Sequence, residues 1–175
     1  LQGVEVSEPA SIKARARGFK VHIGSINGEA LRAENFDAVT MVYVLEHVPE
    51  PVDTLKAARR LLVKDGVLIV AVPNYNYLKL LYTGPINLIL RGKATSLMAG
   101  EHLFNYTPRT FEALAHQAGF RVVKWKSATP HPVGGPFLRM AKRFAWLVSQ
   151  VLFTLGVHIG GIHAVLNSDR SYTDH

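Results

Sequence analysis

The chain has 175 residues, 48% of them hydrophobic and 19% charged, which is enough for one domain with a proper core and excludes disorder as its main state. It contains no cysteine, which excludes a disulfide scaffold, a zinc–thiolate site, an iron–sulfur cluster and a cysteine nucleophile. The net charge of +7 is uneven: residues 1–90 carry ten basic and nine acidic side chains, residues 91–175 ten and four, so the second half favours anionic surfaces.

Leu1 to Val6 is short and β-rich, and reads as a strand. Ser7 has helix N-cap chemistry, Pro9 sits in the first turn, and a helix continues to Gly18. Phe19 to Ile23 is predicted as a second strand, closed by Gly24. Phe36 to Val44 is nearly continuous apolar sequence, as in a strand buried on both faces. Pro51 to Leu62 is an amphipathic helix with Val52, Leu55, Ala58 and Leu62 on one face. Lys64-Asp65-Gly66 reads as a turn, and Val67 to Val72 as another buried strand. The pattern then breaks. Residues 74–106 read as a lid or substrate-facing insertion, rich in Tyr, Leu, Asn and Gly. Thr107-Pro108 opens a helix to Gln117, with Gly119 as its stop, and Arg121 to Lys126 is a strand. His131 to Pro136 is a turn, residues 138–155 a basic-then-apolar helix, and His163 to Leu166 a last short strand.

Strands alternating with helices define an α/β, Rossmann-like doubly wound sheet, mostly parallel, with a C-terminal antiparallel strand. Such sheets bind ligands at the carboxyl ends of their strands. The positions to watch are therefore Glu5, Gly24 to Ile26, Tyr43 to His47 and the stretch after Pro73.

Phe36-Asp-Ala-Val, then Val44-Leu45-Glu46-His47-Val48 and Pro51, resembles the fourth-strand motif of class I S-adenosylmethionine-dependent methyltransferases of the small-molecule type (type 11/12-like). Three further stretches keep the family's order. Gly3 to Ser7 resembles its second strand, Leu61 to Leu68 its junction into the fifth, and Glu101 to Pro108 with Ala118-Gly119-Phe120 the segment before its sixth. Any one motif is weak; four in order are strong. The likeness spans roughly residues 1–126 and implies S-adenosylmethionine as cofactor.

On that likeness Glu5 would accept both ribose hydroxyls, although by itself it reads more readily as a solvated turn residue. Ser25 and Ile26 would meet the adenine. The family often has Asp where Ser25 stands, so Ser25 accepts there without a charge, while Ile26 packs on the ring face. Tyr43 and Val44 would line the methionine end, their backbone carbonyls taking the ammonium. His47 is a proton acceptor or a structural hydrogen-bonder, and His102 is a base facing the methyl acceptor or a helix-start histidine bonded to a carbonyl. No metal site is expected, since none of the eight histidines forms a ligand pair at H-x-x-x-H spacing, and His158 with His163 lies in an apolar stretch.

The sequence departs from the family by an absence: no glycine-rich loop precedes Glu5, and glycines 134–135 and 160–161 do not replace it. The expectation is a single domain over 1–175 that lacks its first strand and first helix, with poor cofactor binding by this chain alone. From Phe144 to Ser168 there is no Asp, Glu, Lys or Arg, and Arg139, Lys142 and Arg143 stand just before. Residues 137–156 read as a basic amphipathic helix, packed on its own sheet or lying on a membrane surface; a true span is disfavoured by Gly156, Gly160 and Gly161. Nucleic acid is an unlikely partner, since no nucleic-acid-binding signature accompanies the charge.

The function expected is methyl transfer to a small-molecule or lipid-linked acceptor, in a cytoplasmic protein with peripheral membrane contact through 137–156. The alternative is a non-catalytic methyltransferase-like module acting in interaction or at a membrane surface.

Overall fold

A computed structural model describes residues 1–28, 31, 33, 35–76, 102–128 and 161–168. In chain order it forms β1 (Gly3–Glu5), α1 (Glu8–Ala16), β2 (Val21–Ile23) and β3 (Phe36–Val42). A 3₁₀ turn (Leu45–His47), α2 (Pro51–Leu61) and β4 (Leu62–Val72) follow, then α3 (Pro108–Gln117), β5 (Phe120–Ala128) and β6 (Gly161–Ser168). The expected lid lies largely, and the basic helix over 137–156 wholly, outside the described residues. No helix among the described residues is long and apolar enough to cross a membrane.

The strands form two pieces. β1 and β2 pair in parallel, and β3-β4-β6-β5 form a four-stranded sheet in which β3 and β4 are parallel and β6 is antiparallel to both neighbours. No ladder joins β1 to β3 among the described residues. The antiparallel last strand is as expected; because it is interior, two of the three ladders of the larger sheet are antiparallel and the sheet is mixed, although β3, β4 and β5 run the same way. This last strand lies between β4 and β5.

Local chemistry accounts for the elements. Ser7 caps α1, accepting from the Ala10 N–H, with Glu8 in the first turn and Lys13 and Arg15 in the last, as the helix dipole favours. Thr107 and Thr110 close a reciprocal capping box on α3: each side-chain oxygen accepts the other residue's backbone N–H, at 3.2 and 2.9 Å. Leu55 and Ala58 of α2 and Phe111 and Ala115 of α3 are fully buried against Leu68 and Val70 of β4 and Ala164 and Leu166 of β6. β6 alternates, burying Ile162, Ala164 and Leu166, as a strand with one core face must.

Three expectations needed correction. The predicted turn at Lys64–Gly66 is a bulge inside one long strand, since pairing jumps from Phe36↔Leu62 to Ala38↔Val67 and Asp65 takes φ 65°. A Cβ on Gly66 would lie 3.0 Å from the Val63 oxygen and 3.2 Å from the Asp37 oxygen, so any other residue there would have to push backbone aside by a few tenths of an ångström. β3 stops at Val42, not Val44, because Tyr43 turns to φ 55°. Burial on both faces also fails for this part of the sheet: Thr40, Val42 and Ile69 are exposed.

His163 of β6 pairs with Ala71 of β4 and Lys126 of β5. Partial burial, and then the Lys126 ammonium, push its imidazole below the ordinary histidine range. The unfolded chain therefore binds the proton more readily. Stability contributed here is whole above the unfolded value near 6.5 and falls as pH drops through it, levelling off below the folded value. Urea unfolding at pH 7.5 and pH 5 should show a smaller loss of midpoint in His163→Gln than in the parent chain; equal losses would contradict this.

Candidate active site

The carboxyl ends of the strands carry the polar groups. At the end of β1, Glu5 Oε1 accepts the Ser7 N–H at 2.8 Å, and its backbone oxygen accepts the Gly24 N–H at 3.0 Å. The second contact holds the end of β1 against the turn after β2, where Gly24 at φ 124° gives the chain its reversal. Ser25 is exposed and builds that turn: its Oγ accepts from Asn27 and its carbonyl from Gly28. Ile26 is half-buried and packs against the main core, which brings the end of β2 towards the larger sheet.

After β3 the chain makes a strained corner. Tyr43 lies in the left-handed region, costly for a bulky residue, while its N–H donates to the Ala71 oxygen at 2.9 Å and its side chain stands half-exposed. Val44 is exposed, and its carbonyl accepts the His47 N–H at 3.0 Å, so one of its lone pairs already serves the 3₁₀ turn. Within that turn Leu45 is wholly buried, Glu46 is 1% exposed and His47 faces solvent.

The segment before α3 folds onto this turn. Leu103 and Phe104 both donate backbone N–H groups to the Glu46 carbonyl, at 2.8 and 3.2 Å, and the Tyr106 hydroxyl donates to the Leu45 carbonyl at 3.2 Å. The Tyr75 N–H donates to the Tyr106 oxygen at 2.7 Å beside an Asn74–Tyr106 bridge, so the two ends of the expected lid meet here. As a result His102 lies against His47, with ring centroids 4.9 Å apart and planes at 71°. His47 Nε2 stands 3.9 Å from Glu46 Oε1. Neither Glu46 carboxylate oxygen accepts a hydrogen bond of ordinary geometry, and the buried His102 Nδ1 has no partner. Burial pushes the Glu46 carboxyl above the usual carboxylate range, while its own backbone amide, His47 and His102 pull the other way. Burial, and then the nearby Glu46 carboxylate, raise the Tyr106 phenol well above its usual value.

The expected residues therefore fall into two groups. Glu5, Ser25 and Ile26 belong to the smaller pair of strands, and Tyr43, Val44, His47 and His102 to the corner of the larger sheet. Glu46 is the member that sequence reasoning passed over as a site residue. Its helical neighbours gave no sign that it would be buried.

This arrangement is that of a class I methyltransferase: an α/β Rossmann-like sheet with an antiparallel last strand and its polar groups at the strands' carboxyl ends. The chain belongs to the methyltransferase domain family, whose profile matches residues 3–124. It is 26% identical over 142 residues to the ubiquinone biosynthesis O-methyltransferase of Neisseria meningitidis serogroup A, covering 75% of this chain and 58% of that one. It is 43% identical over 49 residues to the enzyme of that name from Haemophilus ducreyi, covering 28% and 21%. The chain thus spans little more than half the length of the first relative and about a fifth of the second. A SAM-dependent methyltransferase from Methanosarcina mazei shares the fold with a TM-score of 0.62, at 15% identity, over 95% of this chain and 81% of that one.

The left-handed conformation costs a non-glycine residue about 1–2 kcal/mol, and asparagine tolerates it. Tyr43→Asn should therefore raise the stability measured by urea unfolding by about 1 kcal/mol. A fall in stability would show that the corner is not strained.

Proposed function

We propose that this chain carries out S-adenosylmethionine-dependent methyl transfer to the oxygen of a small or lipid-like acceptor. The observation that carries the reading is the meeting of His47 and His102 at the end of β3. A polar cluster stands there beside exposed Tyr43, Val44, Leu103 and Phe104. Such a rim suits an apolar molecule bearing one reactive hydroxyl. The relatives named for O-methylation in ubiquinone biosynthesis support oxygen as the accepting atom.

The residues present fit the cofactor at its ribose and adenine end. Glu5 ends β1 with a carboxylate half-open to solvent, and Ile26 offers an apolar side to a purine. Glu5 would take the ribose hydroxyls, Ser25 and Ile26 the adenine, and the Tyr43–Val44 backbone the methionine ammonium. When bound, the cofactor supplies an electrophilic methyl group on a sulfonium. The part of this chain's own residues would be to hold an acceptor oxygen in line with that methyl group and to take the hydroxyl proton on the histidine cluster. His102 would receive it; its contact with the His47 ring supports this reading. Orientation and exclusion of water supply the remaining barrier reduction.

Backbone amide shifts in an NMR titration with S-adenosylmethionine test this binding even when it is weak. The amides of Glu5, Ser25, Ile26, Tyr43 and Val44 should move together, and Glu5→Gln should weaken binding about tenfold, as loss of a charge-assisted hydrogen bond does. Saturable movement confined to other residues, or none, would overturn the assignment.

A further inference from the structure

Glu46 poses a physical problem that methyl transfer does not solve. Its side chain is 1% exposed, yet neither carboxylate oxygen accepts a hydrogen bond of ordinary geometry, its own backbone amide being the one peptide group that favours the charge. A buried carboxylate left in that state costs several kcal/mol, and proteins retain such groups paired with a charge or bound to a metal. One ion pair is too little here. Only Oε1 stands near His47 Nε2, at 3.9 Å, which leaves Oε2 and the buried His102 Nδ1 still without partners.

The three side chains converge. Glu46, His47 and His102 each offer a ligand atom, and these atoms lie within 4.8 Å of one another. The imidazoles meet edge-on at 4.9 Å and 71°, so both can turn a nitrogen towards one point beside the carboxylate. Two imidazoles and a carboxylate are a donor set for a first-row divalent ion. Metal–ligand bonds of about 2.0–2.2 Å put tetrahedral ligand atoms about 3.4 Å apart. The site therefore closes by roughly an ångström on binding, a movement within reach of the solvent-facing His47 ring.

We propose that Glu46, His47 and His102 bind one divalent transition-metal ion, of which Zn²⁺ is the type. The backbone is already set for it: the Leu103 and Phe104 N–H bonds to the Glu46 carbonyl hold 102–104 against the 3₁₀ turn. Three protein ligands leave at least one coordination position open, as in catalytic rather than structural zinc sites. This deepens the methyl-transfer reading and, for the acceptor alone, rests on it: the open position takes the acceptor oxygen and makes its proton easier to lose. With the ion bound the histidines are ligands and no longer take the proton, which leaves to solvent instead; proton transfer to His102 belongs to the metal-free chain.

Calorimetric titration of the chelator-stripped chain with ZnCl₂, without cofactor or acceptor, tests the site independently of methyl transfer. The expected result is one ion per chain. Mutation of an outer partner of a metal ligand costs about 10–100-fold in affinity, so Glu46→Gln and His102→Ala should each lose at least about a hundredfold. His47→Asn, at a solvent-facing position, should do the same without disturbing the fold, as urea unfolding of the metal-free variant checks. Zn²⁺ should also raise the thermal midpoint of the parent chain and of none of the three variants. No one-to-one binding, or binding of equal strength in Glu46→Gln and His47→Asn, would overturn the proposal. Either outcome leaves the S-adenosylmethionine titration to be judged separately, since its amides report on Glu5 and Ser25 as well as on Tyr43 and Val44.

Discussion

One backbone oxygen organises the functional corner of this protein. The Glu46 carbonyl accepts two N–H groups, from Leu103 and Phe104, and so binds the turn after β3 to the segment before α3 across more than fifty residues of chain. A carbonyl with two lone pairs can take both bonds in full. The Tyr106 hydroxyl on the Leu45 carbonyl adds a third tie, and Tyr106 in turn stacks with Phe104 and meets Phe111 of α3 edge-on. Those contacts run into the core that α2 and α3 share with β4 and β6. His47 and His102 are neighbours because of this clamp. Without it the two histidines belong to unrelated stretches of sequence.

The strained corner makes sense in the same terms. Tyr43 could leave the left-handed region only by breaking its N–H bond to the Ala71 oxygen or by moving the 3₁₀ turn that follows. The bond ties the corner to β4 just before that strand ends, and β4 is held on both sides by ladders to β3 and β6. Strain at this point is thus maintained by an interior strand of the sheet, paired along both edges. The corner exposes Tyr43 and Val44 at the carboxyl end of β3, where open α/β sheets place their ligands.

Much of this was legible in the sequence. Continuous apolar runs marked β3 and β4, and Ser7, Pro51 and Thr107-Pro108 marked three helix starts within a residue or so of where they fall. The order of four motifs carried the family. What was hidden depended on distant pairing. Lys64-Asp65-Gly66 has turn chemistry, and nothing local shows that the chain resumes pairing with the same neighbour beyond it. β6 follows β5 in sequence yet inserts between β4 and β5, burying Ile162, Ala164 and Leu166, and neither its length nor its spacing announces that position. Glu46 was the least legible of all. A charged residue in a helical turn is solvated by default, and its burial follows only from the packing of the segment around Phe104 and Tyr106, far along the chain. The ligand-like grouping with His102 was hidden for the same reason, since close spacing in sequence was the only signal available.

A crystal structure with S-adenosylhomocysteine, the product left after methyl transfer, tests the central claim most directly. The account predicts the ribose on Glu5, the adenine beside Ile26, and the sulfur over the Tyr43–His47 corner with its open side towards His102. A ligand seated away from that corner, or with its sulfur turned from the His47–His102 pair, would contradict it.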